Sequence, residues 1–489
     1  MTQSRHDPQA EIVACLARGA RRIDTQGAIV LLKGDEAIKI RRAIRLPFLD
    51  YSTIEKRRAA AEAEIAINRA WAPQLYLEAA AIRRTRDGYG FEGDGEIVEW
   101  ATRMARFDDE VTLDKVAARG ELDDETVRKL ARAILAMHAS APRRPATPAM
   151  AAMGLWIEQN GAAFAERPEL FGADAAAELL QASRAALARW TPMLIARDAV
   201  RRCHGDLHLR NIALIDGAPT PFDAIEFDET IATGDILYDL AFTLMDLWER
   251  GFRRQANLLF NAYLSASPPE TLSALGALPL FLSLRAAIRA KVAGEEDARR
   301  YFEFACSFLK PAPPRLIAVG GLSGTGKSAL CARLAPEIGA APGALWLRSD
   351  VERKHLFGVE ELTPLPDAAY SAAASHEIYA RLIDKARRAL AAGVSALIDA
   401  AYPHSAERAA SAALAAEAGV PFAGLWLEAP LDVRLARIAG RRGDASDADA
   451  GVARRQRAEP LGEPGWRVLD AGGAREATLR VASRAVAGI

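Results

Sequence analysis

The chain has 489 residues, half of them hydrophobic and 26% charged, with a formal net charge of −1. That length exceeds one ordinary core and predicts two or three domains, while near-neutrality argues against a broad nucleic-acid-binding surface. No run of about 18 apolar residues is read as a membrane span. "MTQSRHDPQAEIVACLARG" lacks the apolar core of a signal peptide, and the four cysteines are spaced too widely for a zinc or disulfide framework, so a cytoplasmic enzyme is expected.

In chain order, residues of about 20–110 read as a small β-rich lobe. "AIVLLKGDEAIKIRRAI" predicts two short strands around the turn "KGDE", and "EIVEWATRMARF" predicts a third. Between them "STIEKRRAAAEAEIAINRAWA" is helical, with Ser52 or Thr53 as cap and Glu55 following. From residue 112 to about 200, and again from about 235 to 309, the pattern is helical. Residues 1–309 are therefore expected to form one domain, its helical lobe spanning about 111–309.

"CHGDLHLRNIALIDGAPTPFDAIEFDE" interrupts the helices. His-Gly-Asp with Asn five residues after the aspartate has the spacing of a kinase catalytic loop. There Asp206 would accept the substrate hydroxyl's proton and Asn211 would hold magnesium, with Asp223 as a second magnesium-binding carboxylate. Phosphoryl transfer is mostly positioning and charge neutralisation, so the chemistry needs these groups clustered. His208, Asp228, Asp235 and Asp239 read as structural supports. The stretch "DTQGAIV", with only Gly27, departs from the G-x-G-x-x-G pattern of a nucleotide-covering loop.

Of the 63 basic side chains only ten are lysine. A lysine at a motif position is therefore informative, and Lys39 and Lys327 both stand at one.

"FLKPAPPRLIAVGG" marks a boundary, because Pro311, Pro313 and Pro314 cannot continue a helix. Residues 310–314 are read as a linker and 315–489 as a second domain. Five apolar strands, in "RLIAVG", "GALWLRSD", "GVSALIDA", "AGLWLEAP" and "WRVLDA", alternate with helices and predict a parallel sheet covered on both faces. After the first comes Gly321-Leu322-Ser323-Gly324-Thr325-Gly326-Lys327-Ser328, which fills G-x-x-x-x-G-K-[ST]. Its amides would cradle phosphates, Lys327 would reach the β- and γ-phosphates, and Ser328 would bind magnesium. Asp399, ending the third strand, is the candidate for the magnesium shell. Arg437 and Arg441 are placed four apart on one helical face, beside Arg442. No sensor arginine or ring-interface motif accompanies the loop, which argues against an oligomeric motor.

The first part resembles the aminoglycoside and choline phosphotransferase group. His204-Gly205-Asp206-Leu207-His208 replaces the protein-kinase His-Arg-Asp, Asp223-Ala-Ile-Glu226 replaces Asp-Phe-Gly, and "GDILYDLAF" follows. The resemblance implies that Lys39 in "AIKI" contacts the α- and β-phosphates. It also implies a helix glutamate partner, with Glu64 preferred and Glu62 as rival.

The second part resembles small P-loop kinases of the zeta-toxin, polynucleotide-kinase and gluconate-kinase type. That likeness implies Asp350 facing the acceptor hydroxyl as base (the bland alternative being a helix cap) and Arg437 and Arg441 in a closing lid. The whole, from about residue 20 to 470, resembles bacterial proteins described as fused aminoglycoside-phosphotransferase-like and P-loop-kinase-like.

The expectation is a two-domain protein, α+β protein-kinase-like followed by α/β P-loop. It would transfer the γ-phosphate of ATP with Mg²⁺ to hydroxyls of small molecules at two sites. Two alternatives stay open. One domain acts as a non-catalytic nucleotide-binding regulator, or the P-loop domain is a nucleic-acid-end kinase using seven arginines between Arg434 and Arg457. The acceptor, the oligomeric state and any coupling between the sites are not legible in the residues.

Overall fold

The computed structural model describes residues 8–46, 49–441 and 443–488. Pro47 and Phe48, which open "PFLDYSTIEKRR", and Arg442 of the expected lid lie outside the described residues. By packing, the chain forms two compact units. The first runs to Met153 and resumes over Asp198–Thr243; the second comprises Gly154–Arg197 and the chain from Leu244 onward.

The first unit is built on an antiparallel sheet. Its strands are β1 (Arg21–Asp24), β2 (Ala28–Lys33), β3 (Glu36–Arg41), β4 (Tyr76–Thr85), β5 (Gly88–Gly90) and β6 (Ile97–Ala105), in the order β1-β2-β3-β6-β4-β5. Only β2, β3 and β6 were expected. Strand β4 is "YLEAAAIRRT", whose alanine, leucine and glutamate favour helix in isolation, so pairing with β6 overrides propensity.

Strand alternation sorts the side chains of β3. Ile38 and Ile40 join Ile29, Leu31, Ile82 and Ala101 in a core closed by Ile12 and Val13 of helix α1 (Pro8–Leu16). Lys39 and Arg41 point to the other face, where helix α2 (Ile54–Asn68) packs. Thr53 rather than Ser52 caps α2, accepting a hydrogen bond from the amide of Lys56.

The second unit contains helices and one parallel sheet. Helices α3 (Arg253–Ser265) and α4 (Leu278–Val292) precede strand β7 (Leu316–Gly320) and helix α5 (Lys327–Leu334). Then come β8 (Leu345–Arg348), α6 (Ser349–Leu356), β9 (Ala396–Asp399), β10 (Phe422–Glu428), α7 (Leu431–Ala439), β11 (Trp466–Asp470) and α8 (Arg475–Ala487). All five predicted strands are present, in the order β8-β9-β7-β10-β11, every neighbouring pair parallel.

Ile317, Val319, Leu397, Leu425 and Leu427 face Leu330, Leu334, Ala482 and Val486, so α5 and α8 seal one face of this sheet. Residues 269–292 are long and apolar enough to cross a membrane by length and composition, a window not anticipated from the sequence; in the fold they are mostly buried.

Candidate functional site

In the first unit one lysine gathers two carboxylates. The Lys39 ammonium lies 2.7 Å from Glu64 Oε1 and 2.7 Å from Asp223 Oδ1. Glu62, the rival, is exposed and pairs with Arg58 instead. Burial opposes ionisation of Glu64, yet Lys39 and Arg41 outweigh it and hold the carboxyl at about 2. The same carboxylates hold the Lys39 ammonium protonated against its own burial.

Two participants were not anticipated. Arg41, two residues beyond Lys39 on the same face of β3, donates to Glu64 Oε2 at 2.6 Å and to Glu226 Oε1 at 2.8 Å. Glu226, the last residue of Asp-Ala-Ile-Glu, also accepts from the Tyr51 hydroxyl. The period of two from Lys39 is the signal that could have pointed to Arg41.

The catalytic loop is braced separately. Asn211 Nδ2 donates to the Asp206 carbonyl at 2.9 Å and to its Oδ2 at 3.0 Å. Buried His204 ties this loop to the segment that carries Asp223. Its Nδ1 accepts from the Asp206 amide and its Nε2–H donates to the Phe222 carbonyl. Asp223 itself sits at φ +61°, a left-handed conformation of the kind concentrated at functional sites, with its amide donating to Tyr76.

Behind the loop, Asp239 accepts the amides of His204 and Gly205 and meets His138 Nε2 at 3.2 Å. Cys203 completes a buried Cys-His-Asp group whose ligand atoms lie within 4.8 Å of one another. With both oxygens of Asp239 occupied and the Cys203 thiol donating to the Gly234 carbonyl, the group reads as a brace for the loop.

Burial lowers the His204 pKa despite the pull of Asp239 and Asp206. The unfolded chain takes up this proton near pH 6.5, whereas the folded one resists. Stability from His204 is therefore complete above about pH 6.5 and is lost as pH falls below it. Thermal melts from about pH 7.5 to 5.5 should show a larger fall for wild type than for His204→Gln; equal falls would remove His204 from the account.

In the second unit the phosphate loop is glycine-dependent. Gly321, Gly324 and Gly326 have φ of +137°, +86° and +97°. A Cβ on Gly324 would lie 2.6 Å from the Arg434 carbonyl oxygen, and one on Gly321 would lie 2.6 Å from that of Leu427. Gly326 caps α5, whose N-terminal amides face the site. The outer part of the loop is tied down. The Ser323 amide donates to Gln456, the Ser323 carbonyl accepts from Arg434, and the Thr325 hydroxyl donates to the Leu322 carbonyl.

Lys327 stands within electrostatic reach of Asp399, Asp350 and Arg441, and burial lowers its pKa in spite of the two acids. Burial raises the pKa of Asp399 against the pull of Lys327, Arg348 and neighbouring Ser328; its carboxylate accepts from the Trp346 indole at 3.3 Å. Asp350 lies in the first turn of α6, and its carboxylate joins no other described residue by a hydrogen bond or ion pair. The cap position is Arg348, without a side-chain cap, so Asp350 does not serve as one.

The arginines correct one expectation. Helix α7 ends at Ala439 with Gly440 as its cap, so Arg441 lies beyond the helix and shares no helical face with Arg437. Arg437 donates to the Thr325 and Gly473 carbonyls, whereas Arg441 donates to the Ser446 carbonyl and lies 3.6 Å from Asp444. Arg434 is buried rather than part of an exposed patch.

Both oxygen-rich sets suit a hard divalent cation such as Mg²⁺. Asn211 with Asp223 would hold it in the first unit, and Ser328 with Asp399 in the second. A bound cation would neutralise charge on the transferring phosphoryl group.

Residues 49–275 match the model of the phosphotransferase enzyme family, and residues 316–460 match that of an AAA domain. The chain thus joins an N-terminal phosphotransferase-type kinase-like domain to a C-terminal P-loop kinase-like domain with a parallel five-stranded sheet. An uncharacterized protein of Mycobacterium tuberculosis is 27% identical over 478 residues, 93% of each chain.

A choline/ethanolamine kinase family protein from Mesorhizobium loti matches 62% of this chain and 93% of its own, at 16% identity and a TM-score of 0.36. A sugar kinase from Janibacter sp. HTCC2649 matches 36% of this chain and 95% of its own, at 23% identity and a TM-score of 0.28. The domain matches support phosphotransferase chemistry in general terms.

Proposed function

We propose that the protein is an ATP- and Mg²⁺-dependent phosphotransferase with two sites, each transferring the γ-phosphate to a hydroxyl of a small molecule. The observation that carries the two-site reading is the Lys39 bridge between Glu64 and Asp223. A degenerate nucleotide-binding domain has no need to keep that lysine, both acids and the Asp206–Asn211 loop in register. In the second site Asp350 has its carboxylate available to an acceptor hydroxyl, while Lys327, Ser328 and Asp399 are grouped at the phosphate loop.

In the forward step the acceptor oxygen attacks the γ-phosphorus and the bond to the β–γ bridging oxygen breaks. The hydroxyl proton passes to Asp206 or to Asp350, and ADP leaves. The test compares wild type, Asp206→Ala and Lys327→Ala across small polyols, nucleosides and sugars. Each variant should lose a different subset of acceptors; variants matching wild type on every acceptor would overturn the two-site reading.

A further inference from the structure

Strand β8 is an edge strand of the parallel sheet, so its outward amides and carbonyls have no neighbouring strand. Two asparagines of helix α3 occupy that edge. Asn257 Nδ2 donates to the carbonyls of Pro342 and Ala344, each at 3.0 Å. Asn261 Nδ2 donates to the Ala344 carbonyl at 3.2 Å, and its Oδ1 accepts the Trp346 amide at 2.6 Å.

The two residues are four apart, on one face of α3, and both are buried. Gly343 permits the approach, since a Cβ there would come within 2.8 Å of Asn257 Nδ2. A second close approach lies nearby: a Cβ on Gly276 would be 2.8 Å from the Ala392 carbonyl. Helix α3 falls inside the stretch matching the phosphotransferase family, whereas β8 falls inside the other match. The edge cap therefore comes from outside the P-loop segment.

The residue held by Asn261 is the one that reaches the site. Trp346 directs its indole N–H to Asp399 Oδ2 at 3.3 Å, and Ser328 neighbours that carboxylate. We infer that Asn261 is a positioning residue for the P-loop site, fixing Trp346 at the sheet edge so that its indole orients Asp399 toward the cation shell. This rests on the reading of Ser328 and Asp399 as cation-holding groups. It adds that residues 315–489 lack part of their own active-site support.

The test uses the full chain carrying Lys39→Met, which silences the other nucleotide site. Binding of a fluorescent ATP analogue is titrated against Mg²⁺, and amide exchange is followed over residues 345–348. Groups that orient metal ligands are worth about 10–100-fold in metal affinity. Asn261→Ala and Trp346→Phe should each raise the half-saturating Mg²⁺ about 10-fold or more, leaving Mg²⁺-free nucleotide binding unchanged. The double variant should be no worse than either single, because both act through one contact.

Asn261→Asp keeps the oxygen facing the Trp346 amide and should restore much of the Mg²⁺ response. Exchange at the Trp346 amide should rise in Asn261→Ala but not in Trp346→Phe. A wild-type Mg²⁺ response in Asn261→Ala, or additive losses in the double variant, would overturn the inference. Should Asn261→Ala fail to fold, Trp346→Phe and Asn261→Asp still decide it. If the Lys39→Met parent binds no nucleotide, the proposed P-loop function fails, and unchanged exchange at Trp346 in Asn261→Ala would separately sink the edge cap.

Discussion

Asp350→Asn is expected to lower transfer by the P-loop site about 10²–10⁴-fold, the usual worth of a general base, while MgATP affinity stays near wild type. The phosphate contacts would come from Gly321 to Ser328, of which only Lys327 feels the Asp350 charge, and Asp399 acts on that lysine as well. Asparagine keeps the shape and removes the proton acceptor. The carboxylate is bonded to no other described residue and supplies no cap to α6, so its loss disturbs no observed contact. Lys327→Ala should behave differently and weaken nucleotide binding as well. Transfer and affinity are measured separately, with an acceptor drawn from the screen; wild-type transfer by Asp350→Asn would place the acceptor base elsewhere.

Lys39→Met should have the second largest effect, and on two quantities. Removing one partner of a buried ion pair costs about 3–5 kcal/mol when the other charge is left uncompensated. Here Arg41 still donates to Glu64 at 2.6 Å, so the stability loss should fall at or below the lower end of that range. Function has no such reserve, since Arg41 is buried and engaged with both Glu64 and Glu226. Nucleotide binding by the first domain should therefore be lost while the fold survives. Arg41→Met should show the reverse order, a larger drop in denaturant midpoint with a smaller change in affinity. Equal affinities for Lys39→Met and wild type would remove Lys39 from the nucleotide site.

Much of this arrangement was legible in the residues, for identifiable reasons. The P-loop strands are short apolar runs punctuated by glycine and proline, the three central ones largely buried, and all five were found. The phosphate loop leaves little freedom, because positive φ at Gly321, Gly324 and Gly326 admits almost nothing else. The choice of Glu64 over Glu62 follows from which side of α2 faces β3.

What escaped is equally specific. The β4 strand is written in helix-forming residues and owes its conformation to its partner β6. Arg441 was placed on a helix that Gly440 ends. Asn257 and Asn261 look like ordinary polar residues of an amphipathic helix until the β8 edge is brought against them. That contact is long-range, and no local pattern encodes it.

The most direct test of the two-site account needs no acceptor. Calorimetric titration of the full chain with a non-hydrolysable ATP analogue and Mg²⁺ gives the number of nucleotides bound per chain. The account predicts two for wild type, one for Lys39→Met, one for Lys327→Ala and none for the double variant. A single nucleotide in wild type, lost on Lys327→Ala and unaffected by Lys39→Met, would contradict it.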